Sequence, residues 1–445
     1  MTGGFNKKTI KDVDMHGKTV LLRADYNVPI DKNGKITDDY RITQSVETVR
    51  YIIEQGAKLI ICSHLGRPDG YPDIKYSLAP VVKRLEKLIN KNIDFVSDCV
   101  GEEVSDAINK LRTSQILMLE NLRFHKEEEN NDDDFAKELA SFADIFVEDG
   151  FGVVHRAHAS TEGVTHHLPS VAGLLLEKEV RAITQSMDSP QRPLIAIIGG
   201  AKISDKIDIL RRFVDIADFV VVGGAMANTF LHAEDIPTGH SVIDNDDLDM
   251  AKEIINLAKE KAKKDRFVFY LPQDGVVAKE ISPKAKTRIV DWGAHVISSI
   301  ENYPKLPPKE ASRVKADEMI LDIGPFSGAF IAGGIQLAGS VIWNGSMGVT
   351  ETKGLLSSEG PFSNGTEIIV DALLGKYGHK PKSVVGGGDT VSYIEQRKLT
   401  DFFDHVSTGG GASLELMSGK KLPGIEALLD KSDTIVLKDK RKQDG

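Results

Sequence analysis

Cysteine is almost missing from this 445-residue chain, which holds only Cys62 and Cys99. Two thiols cannot build a disulfide framework or a zinc cluster, and their scarcity fits a reducing, cytosolic setting. Long apolar runs are missing too: none approaches membrane-spanning length, and MTGGFNKKTI does not read as a signal peptide. Nor is there an excess of positive charge. The net charge of −10 argues against an extended nucleic-acid surface or an anionic membrane partner, while leaving room for a local basic pocket. The chain carries no Walker A pattern and no full GxGxxG fingerprint, so ordinary P-loop and Rossmann assignments fail. No tandem repeat at solenoid periods is present. What remains is an ordinary globular composition, 41% hydrophobic and 27% charged, in a chain long enough for two large domains.

The stretch that organises the rest is Ile195–Lys206, IAIIGGAKISDK. An apolar run stops at two glycines, Lys202 follows, and Ser204-Asp205 opens a helical pattern carried by Ile207, Leu210, Phe213, Val214 and Ala217. A buried strand that feeds a glycine turn and a helix N-terminus can hold an anion. The same turn can also simply join strand to helix.

Before this stretch the chain alternates short apolar strands with helices. TVLLRADYNVP (19–29), AKLIICSHLGRP (57–68), NIDFVSD (92–98), QILMLENLRFH (115–125) and ADIFVEDGFG (143–152) read as strands with their exits. Helical patterns such as 42–55 and 78–89 lie between them, which predicts a parallel sheet. The acidic EEENNDDDFAKELASF reads as a solvated face. Arg23, Asp25, Asn27, His64, Arg67, Arg123, His155, Arg156 and His158 all follow strands, and open α/β sheets bind ligands at that edge. A single arginine there is better explained by a surface salt bridge. The repeated placement points instead to a small polyanion. Arg41, in ITDDYRI, stands apart at a helix start, where two aspartates could hold it.

Leu174–Met187 reads as a helix, and the domain boundary is placed on it. Beyond it, glycines replace arginines at the strand exits: IAIIGG, DFVVVGGAMANTF, SVIWNGSMG, KSVVGGGDT and HVSTGGGAS. Five such exits describe a nucleotide site built from main-chain amides. The proline-rich 302–315 reads as a loop, and the charged tail 431–445 as a frayed end.

Taken together, LLRADYNVP, DDYRI, SHLGRP, ENLRFHKEE, FGVVHRAHAS, GGAKISDK, VVGGAMANTF, LDIGP, WNGSMGV, GGGDT and STGGGASLELMSGKKLPGIEAL closely resemble the phosphoglycerate kinase family, in family order over residues 19–428. The resemblance implies an α/β fold of two doubly wound parallel-sheet, Rossmann-like domains joined by a hinge helix. It implies a triose-phosphate domain at 1–173, a hinge helix at 174–189, a nucleotide domain at 190–408, and a segment 409–445 that returns to the first domain. The implied reaction is reversible phosphoryl transfer between ATP and the carboxylate of 3-phosphoglycerate, with Mg2+, in a cytoplasmic monomer whose partners are these small molecules and neither nucleic acid nor membrane. By resemblance, Asp25, Asn27, Arg41, His64, Leu65, Gly66, Arg67, Arg123 and Arg156 hold 3-phosphoglycerate. Lys202, Lys206, Glu351, Gly387, Gly388, Asp389 and Thr390 hold ATP or ADP, Glu351 at the ribose and Asp389 at magnesium. Arg41, Lys202, Gly388 and Gly410 are implied in catalysis.

The chain departs from the family at Ser346, where proline is usual, at Phe326, where a charged residue is usual, and over 293–318, which does not match the expected adenosine-pocket stretch. Phosphoryl transfer needs in-line geometry and cations around the equatorial oxygens. An attacking carboxylate is already ionised, so no general base is required and histidines serve as hydrogen-bond donors. Ligands held on opposite sides of the 174–187 helix must meet with water excluded, which implies a closure about that helix. The competing expectation is a catalytically silent nucleotide-binding protein on the same fold. A kinase that accepts another acyl donor is a third.

Overall fold

The structure, a computed structural model, describes residues 4–293, 295–299, 313–355 and 359–437. The loop read over 302–315 lies outside the described residues up to 312, as do 438–445 of the tail. The chain divides into two compact units. One comprises Met1–Arg181, Gly411–Leu416 and Lys420–Gly445, the other Ala182–Gly410 and Met417–Gly419.

In the first unit β1 (Thr19–Arg23), β2 (Lys58–Cys62), β3 (Asp94–Phe95), β4 (Ile116–Met118), β5 (Ile145–Glu148) and β6 (Ser170–Ala172) form a sheet ordered β3-β4-β2-β1-β5-β6. Every pairing is parallel. Val20 and Leu22 pack on one face with Ile42, Val49, Ile52, Val81 and Leu85, from helices Tyr40–Glu54 and Ala79–Ile89. Leu21 packs on the other with Val104, Phe135 and Leu139. Side chains of a strand alternate faces, so a strand covered on both sides must be apolar at successive positions. The stretch 92–98 yields only the exposed pair Asp94–Phe95 as strand. The chain's two ends also meet here, where Lys7 reaches Asp430 at 2.9 Å and the Lys8 amide donates to the Leu429 carbonyl.

The acidic segment is not uniformly solvated. Glu128 is fully buried. Its Oε1 and Oε2 accept from the hydroxyl and amide of Ser160 at 2.7 and 2.9 Å, a partner distant in sequence.

The second unit holds β7 (Leu194–Ile198), β8 (Phe219–Val222), β9 (Val268–Leu271), β12 (His295–Ser298), β14 (Ser340–Asn344), β15 (Lys382–Gly386) and β16 (His405–Val406), ordered β12-β9-β8-β7-β14-β15-β16. All are parallel except β12, which runs antiparallel to β9. A second, antiparallel sheet, unforeseen in the sequence, is made by β11 (Arg288–Asp291), β10 (Asp274–Ala278) and β13 (Met319–Ile323) in that order.

The helix read at 174–187 forms as Leu174–Asp188, and the boundary between the units falls inside it, after Arg181. Its first turn is tied to the first unit. Asp149 Oδ1 accepts the amides of Leu175 and Leu176 at 2.9 and 3.1 Å, and Thr48 Oγ1 accepts that of Leu174 at 3.2 Å. Amides in the first turn of a helix have no partner within it, and burial makes an unpaired one costly. Asp149→Ala is therefore expected to lower unfolding stability by about 2–4 kcal/mol. Asp149→Asn, which keeps an acceptor oxygen, should lose less than half as much. Urea denaturation of the two variants checks this, and equal losses would overturn the capping role.

Candidate active site

Parallel pairing brings the exits of β4, β2, β1 and β5, which are neighbours in the sheet, to one edge of the first unit. There the side chains form a chain of contacts. Arg41 Nη1 lies 3.2 Å from Asp25 Oδ2 and donates to the Asn27 carbonyl at 3.0 Å. Asp25 Oδ1 accepts the Asn27 amide at 3.1 Å. Asn27 Oδ1 accepts the Gly66 amide at 2.9 Å, and the Gly66 carbonyl accepts Arg123 Nη1 at 2.9 Å. Leu65 is buried beneath, its carbonyl accepting from Asn121 Nδ2 at 2.7 Å. Gly66 sits at φ +63, and a Cβ there would lie 2.4 Å from the Tyr76 ring. Asp25, Asn27, Arg41, Leu65, Gly66 and Arg123 thus form one network.

Two arginines stand outside it. Arg67 is exposed, with no ion-pair or hydrogen-bond partner among the described residues. Arg156 donates from Nε to His155 Nε2 at 3.2 Å. Arg23, grouped with the exit arginines in the sequence, is instead the last residue of β1 and is buried. His64 is buried next to it, and burial together with Arg23, Arg123 and Arg41 holds its pKa well below the usual value, so the ring is neutral. His158 is pushed down to about 3 by burial and by Arg23, Arg123 and Arg156.

In the second unit the five glycine exits belong to β8, β7, β14, β15 and β16, which are contiguous in the sheet. The turns pack backbone on backbone. Gly345, at φ +100, would place a Cβ 2.2 Å from the Gly199 carbonyl oxygen, and a Cβ on Gly199 would meet that of Ser346 at 2.1 Å. Gly387, at φ +89, precedes the helix Gly388–Gln396. Among the described residues no protein acceptor takes the amides of Gly388, Asp389 and Thr390. These amides and the helix dipole make an anion site. Gly410, at φ +49, directly precedes the helix Gly411–Met417.

The amides after Lys202 are already occupied. Ser204–Lys206 is a 3-10 turn, with the α-helix starting at Ile207. Asp247 Oδ2 accepts the amides of Ile203 and Ser204 at 2.7 and 3.0 Å. At that helix start these two amides are therefore not open to an anion, whereas those at Gly388 have no protein acceptor among the described residues. Lys202 is exposed, 3.3 Å from Asp244. Lys206 is held at the strand ends, donating to the Gly199 carbonyl at 2.5 Å and Asn344 Oδ1 at 2.9 Å. Thr390 is buried, its Oγ1 accepting the Gly345 amide at 2.8 Å.

A pocket opens beside these turns, lined by Gly200, Gly224, Leu321, Val349, Glu351 and Asp389 among others. Sequence reading missed one wall, Asp274, Trp292 and Met319–Ile323, which the antiparallel sheet supplies. The short apolar runs 276–278 and 319–321 were the available signal. Asp322 is pushed up to about 7 by burial and accepts the Gly365 amide at 2.8 Å, so its role is structural. Asp389 is exposed in the first turn of its helix. A single accessible carboxylate beside free amides suits magnesium, which takes one or two carboxylates and completes its shell with phosphate oxygens and water.

Fold and edges together define a small-molecule kinase, with cationic side chains at one sheet edge and main-chain amides at the other. The chain belongs to the phosphoglycerate kinase family. The family model described as phosphoglycerate kinase matches residues 10–420. A phosphoglycerate kinase of Dictyoglomus turgidum is 44% identical over 428 residues, covering 96% of this chain and all of the relative. That of Moorella thermoacetica is 43% identical over 425 residues with the same coverage. Among solved structures, phosphoglycerate kinase from Coxiella burnetii superposes with TM-score 0.77 at 37% identity, covering 95% of this chain and 98% of that one. The enzyme from Pyrococcus horikoshii gives 0.79 at 28% identity with the same coverage. The protein is a phosphotransferase that passes a phosphoryl group between ATP and the carboxylate of 3-phosphoglycerate.

Burial lowers the Lys206 pKa from 10.5 to about 8, so pH separates two roles of this lysine. The unfolded chain binds the proton more tightly, so between about 8 and 10.5 folding stability should rise with pH. If the charge serves phosphate, ATP affinity should fall as pH rises through the same window. Calorimetric titration of ATP against pH checks this: Lys206→Gln should flatten that decline, and an equally steep decline in the variant would overturn the role.

Proposed function

We propose the following roles within the phosphoglycerate kinase reaction. The observation that carries them is the network running Arg41–Asp25–Asn27–Gly66–Arg123. It pins the inner arginine through backbone carbonyls and leaves polar and cationic groups at the edge for a phosphorylated acid. Asp25 and Asn27 bind the hydroxyl side of 3-phosphoglycerate. His64, neutral, donates a hydrogen bond. Arg67, exposed and without a partner among the described residues, grips the phosphate with Arg123 and Arg156. Arg41, already oriented by Asp25, neutralises charge on the transferring group and so acts mainly in the transition state.

On the nucleotide side, Glu351 takes the ribose and Lys202 leaves Asp244 for the phosphates. Lys206 adds charge from beneath. The Gly387–Thr390 turn supplies amides to the phosphate chain, and Gly410 ends the turn that meets the transferring group. Asp389 would hold magnesium, which would draw charge from the phosphate oxygens when bound. A cytoplasmic monomer acting on small molecules alone fits the net charge of −10. It also fits the lack, among the described residues, of any helix long and apolar enough to cross a membrane.

Purified protein supplied with ATP, magnesium and 3-phosphoglycerate, coupled to a dehydrogenase that consumes the acyl phosphate, should form product. Folded protein giving none above background would favour a silent nucleotide-binding protein. Arg41→Ala should lower kcat on the order of a hundredfold to a thousandfold with a smaller change in KM. Arg67→Ala should chiefly raise KM for 3-phosphoglycerate. Equal effects at the two positions would overturn this division.

A further inference from the structure

Arg23 cannot touch a ligand. It is 1% exposed, and its guanidinium points its donors inward. Nε donates to Ser160 Oγ at 2.8 Å, Nη1 to the Ala24 carbonyl at 2.5 Å and Nη2 to His64 Nδ1 at 3.3 Å. Ser160 is in turn held by both oxygens of Glu128. Glu148 lies opposite Arg23 in the β1–β5 register. The buried carboxyl groups of Glu128 and Glu148 thus both lie near the buried cation, and several separate segments fix its plane.

The bond to His64 can run in only one direction. A guanidinium carries N–H donors and no acceptor, and it stays protonated in proteins. His64 Nδ1 must therefore be the acceptor, so the proton of the neutral ring sits on Nε2. The other tautomer, or the imidazolium, would set N–H against N–H. The titratable and charged groups facing the ring agree. Arg23 from β1, Arg41 from the helix 40–54, Arg123 from the turn after β4 and His158 from the loop after β5 all disfavour a second proton. The acid that faces it, Asp25, has its Oδ1 4.0 Å from the same Nδ1. Among the described residues no protein group takes Nε2.

We infer that Arg23 is a positioning residue that fixes His64 as the neutral Nε2–H tautomer and so keeps a donor ready for an oxygen of the bound 3-phosphoglycerate. The inference rests on the reading of His64 as a substrate contact. The opposite tautomer would aim a lone pair at an anionic oxygen. His155 supplies an internal contrast: its Nε2 accepts from Arg156 Nε at 3.2 Å, so its proton belongs on Nδ1.

The test is a long-range proton–nitrogen spectrum of the 15N-labelled full chain, with histidines assigned by substitution. His64 should show the Nε2–H pattern and His155 the Nδ1–H pattern in the free protein, and the His64 signals should move on saturation with 3-phosphoglycerate. An Nδ1–H or doubly protonated His64 at neutral pH overturns the role of Arg23. Arg23→Met should mix the His64 tautomers and raise KM for 3-phosphoglycerate roughly tenfold to a hundredfold, with kcat changed much less. In a His64→Ala background the same substitution should add nothing further. A full additive loss would make Arg23 merely structural. If that variant does not fold, the spectrum of the unaltered protein still decides. A correct tautomer whose signals ignore 3-phosphoglycerate would instead overturn the substrate contact, separating the two failures.

Discussion

Parallel pairing is the constraint on which every site residue depends. Strands that pair in parallel must leave their sheet at the same edge, because each crossover returns the chain to the opposite edge before the next strand begins. In the first unit this puts the exits of β4, β2, β1 and β5 side by side, and in the second those of β8, β7, β14, β15 and β16. The same constraint demands strands apolar on both faces. The residues that can carry charge are thereby pushed out of the strands and into the turns that follow them.

Arg23 is the exception, and its cost explains its surroundings. Burying an ion costs several kcal/mol after relaxation, whereas one hydrogen bond returns about 1 kcal/mol. Ser160, the Ala24 carbonyl and His64 alone would not offset that cost. The buried Glu128, which faces Arg23 and is held by Ser160, supplies part of the rest, whereas Glu148, pushed up to about 8 by burial, is mostly protonated at neutral pH and adds little charge. The deeper layer of the edge is an electrostatic unit whose members are expensive to remove singly.

What was legible in the sequence was local. A strand exit is a short motif, so ADYNVP, SHLGRP, WNGSM and GGGDT announced themselves, as did the helices at 40–54, 79–89 and 174–188. What stayed hidden was where a polar group finds its partner. Glu128 looked solvated because Ser160 lies 32 residues away. The amides of Ile203 and Ser204 looked open because Asp247, which takes them, comes 44 and 43 residues later. Arg23 looked like a ligand contact because strand alternation does not tell a side chain aimed at the edge from one folded under it. The antiparallel wall of the nucleotide pocket escaped because β10, β11 and β13 are each only four or five residues long and 27 residues, 292–318, separate β11 from β13.

The two edges meet a shared demand, the binding of phosphate, with different chemistry. Arginine carries charge and reach but loses rotamer freedom when it binds, and Arg123 has already lost much of that freedom to the Gly66 carbonyl. Main-chain amides lose no side-chain entropy and come in rows, but they need turns that only glycine can make. At Gly199 and Gly345 the two turns lie so close that a Cβ on either would overlap backbone oxygen. The cationic edge can therefore tolerate variation in the reach of a side chain, as at the exposed Arg67, whereas the amide edge has almost none to give at these glycines. A change of length in the first shifts one contact. A single methyl in the second displaces a strand end, and with it Lys206, Asn344 and the turn that positions the helix at Gly388.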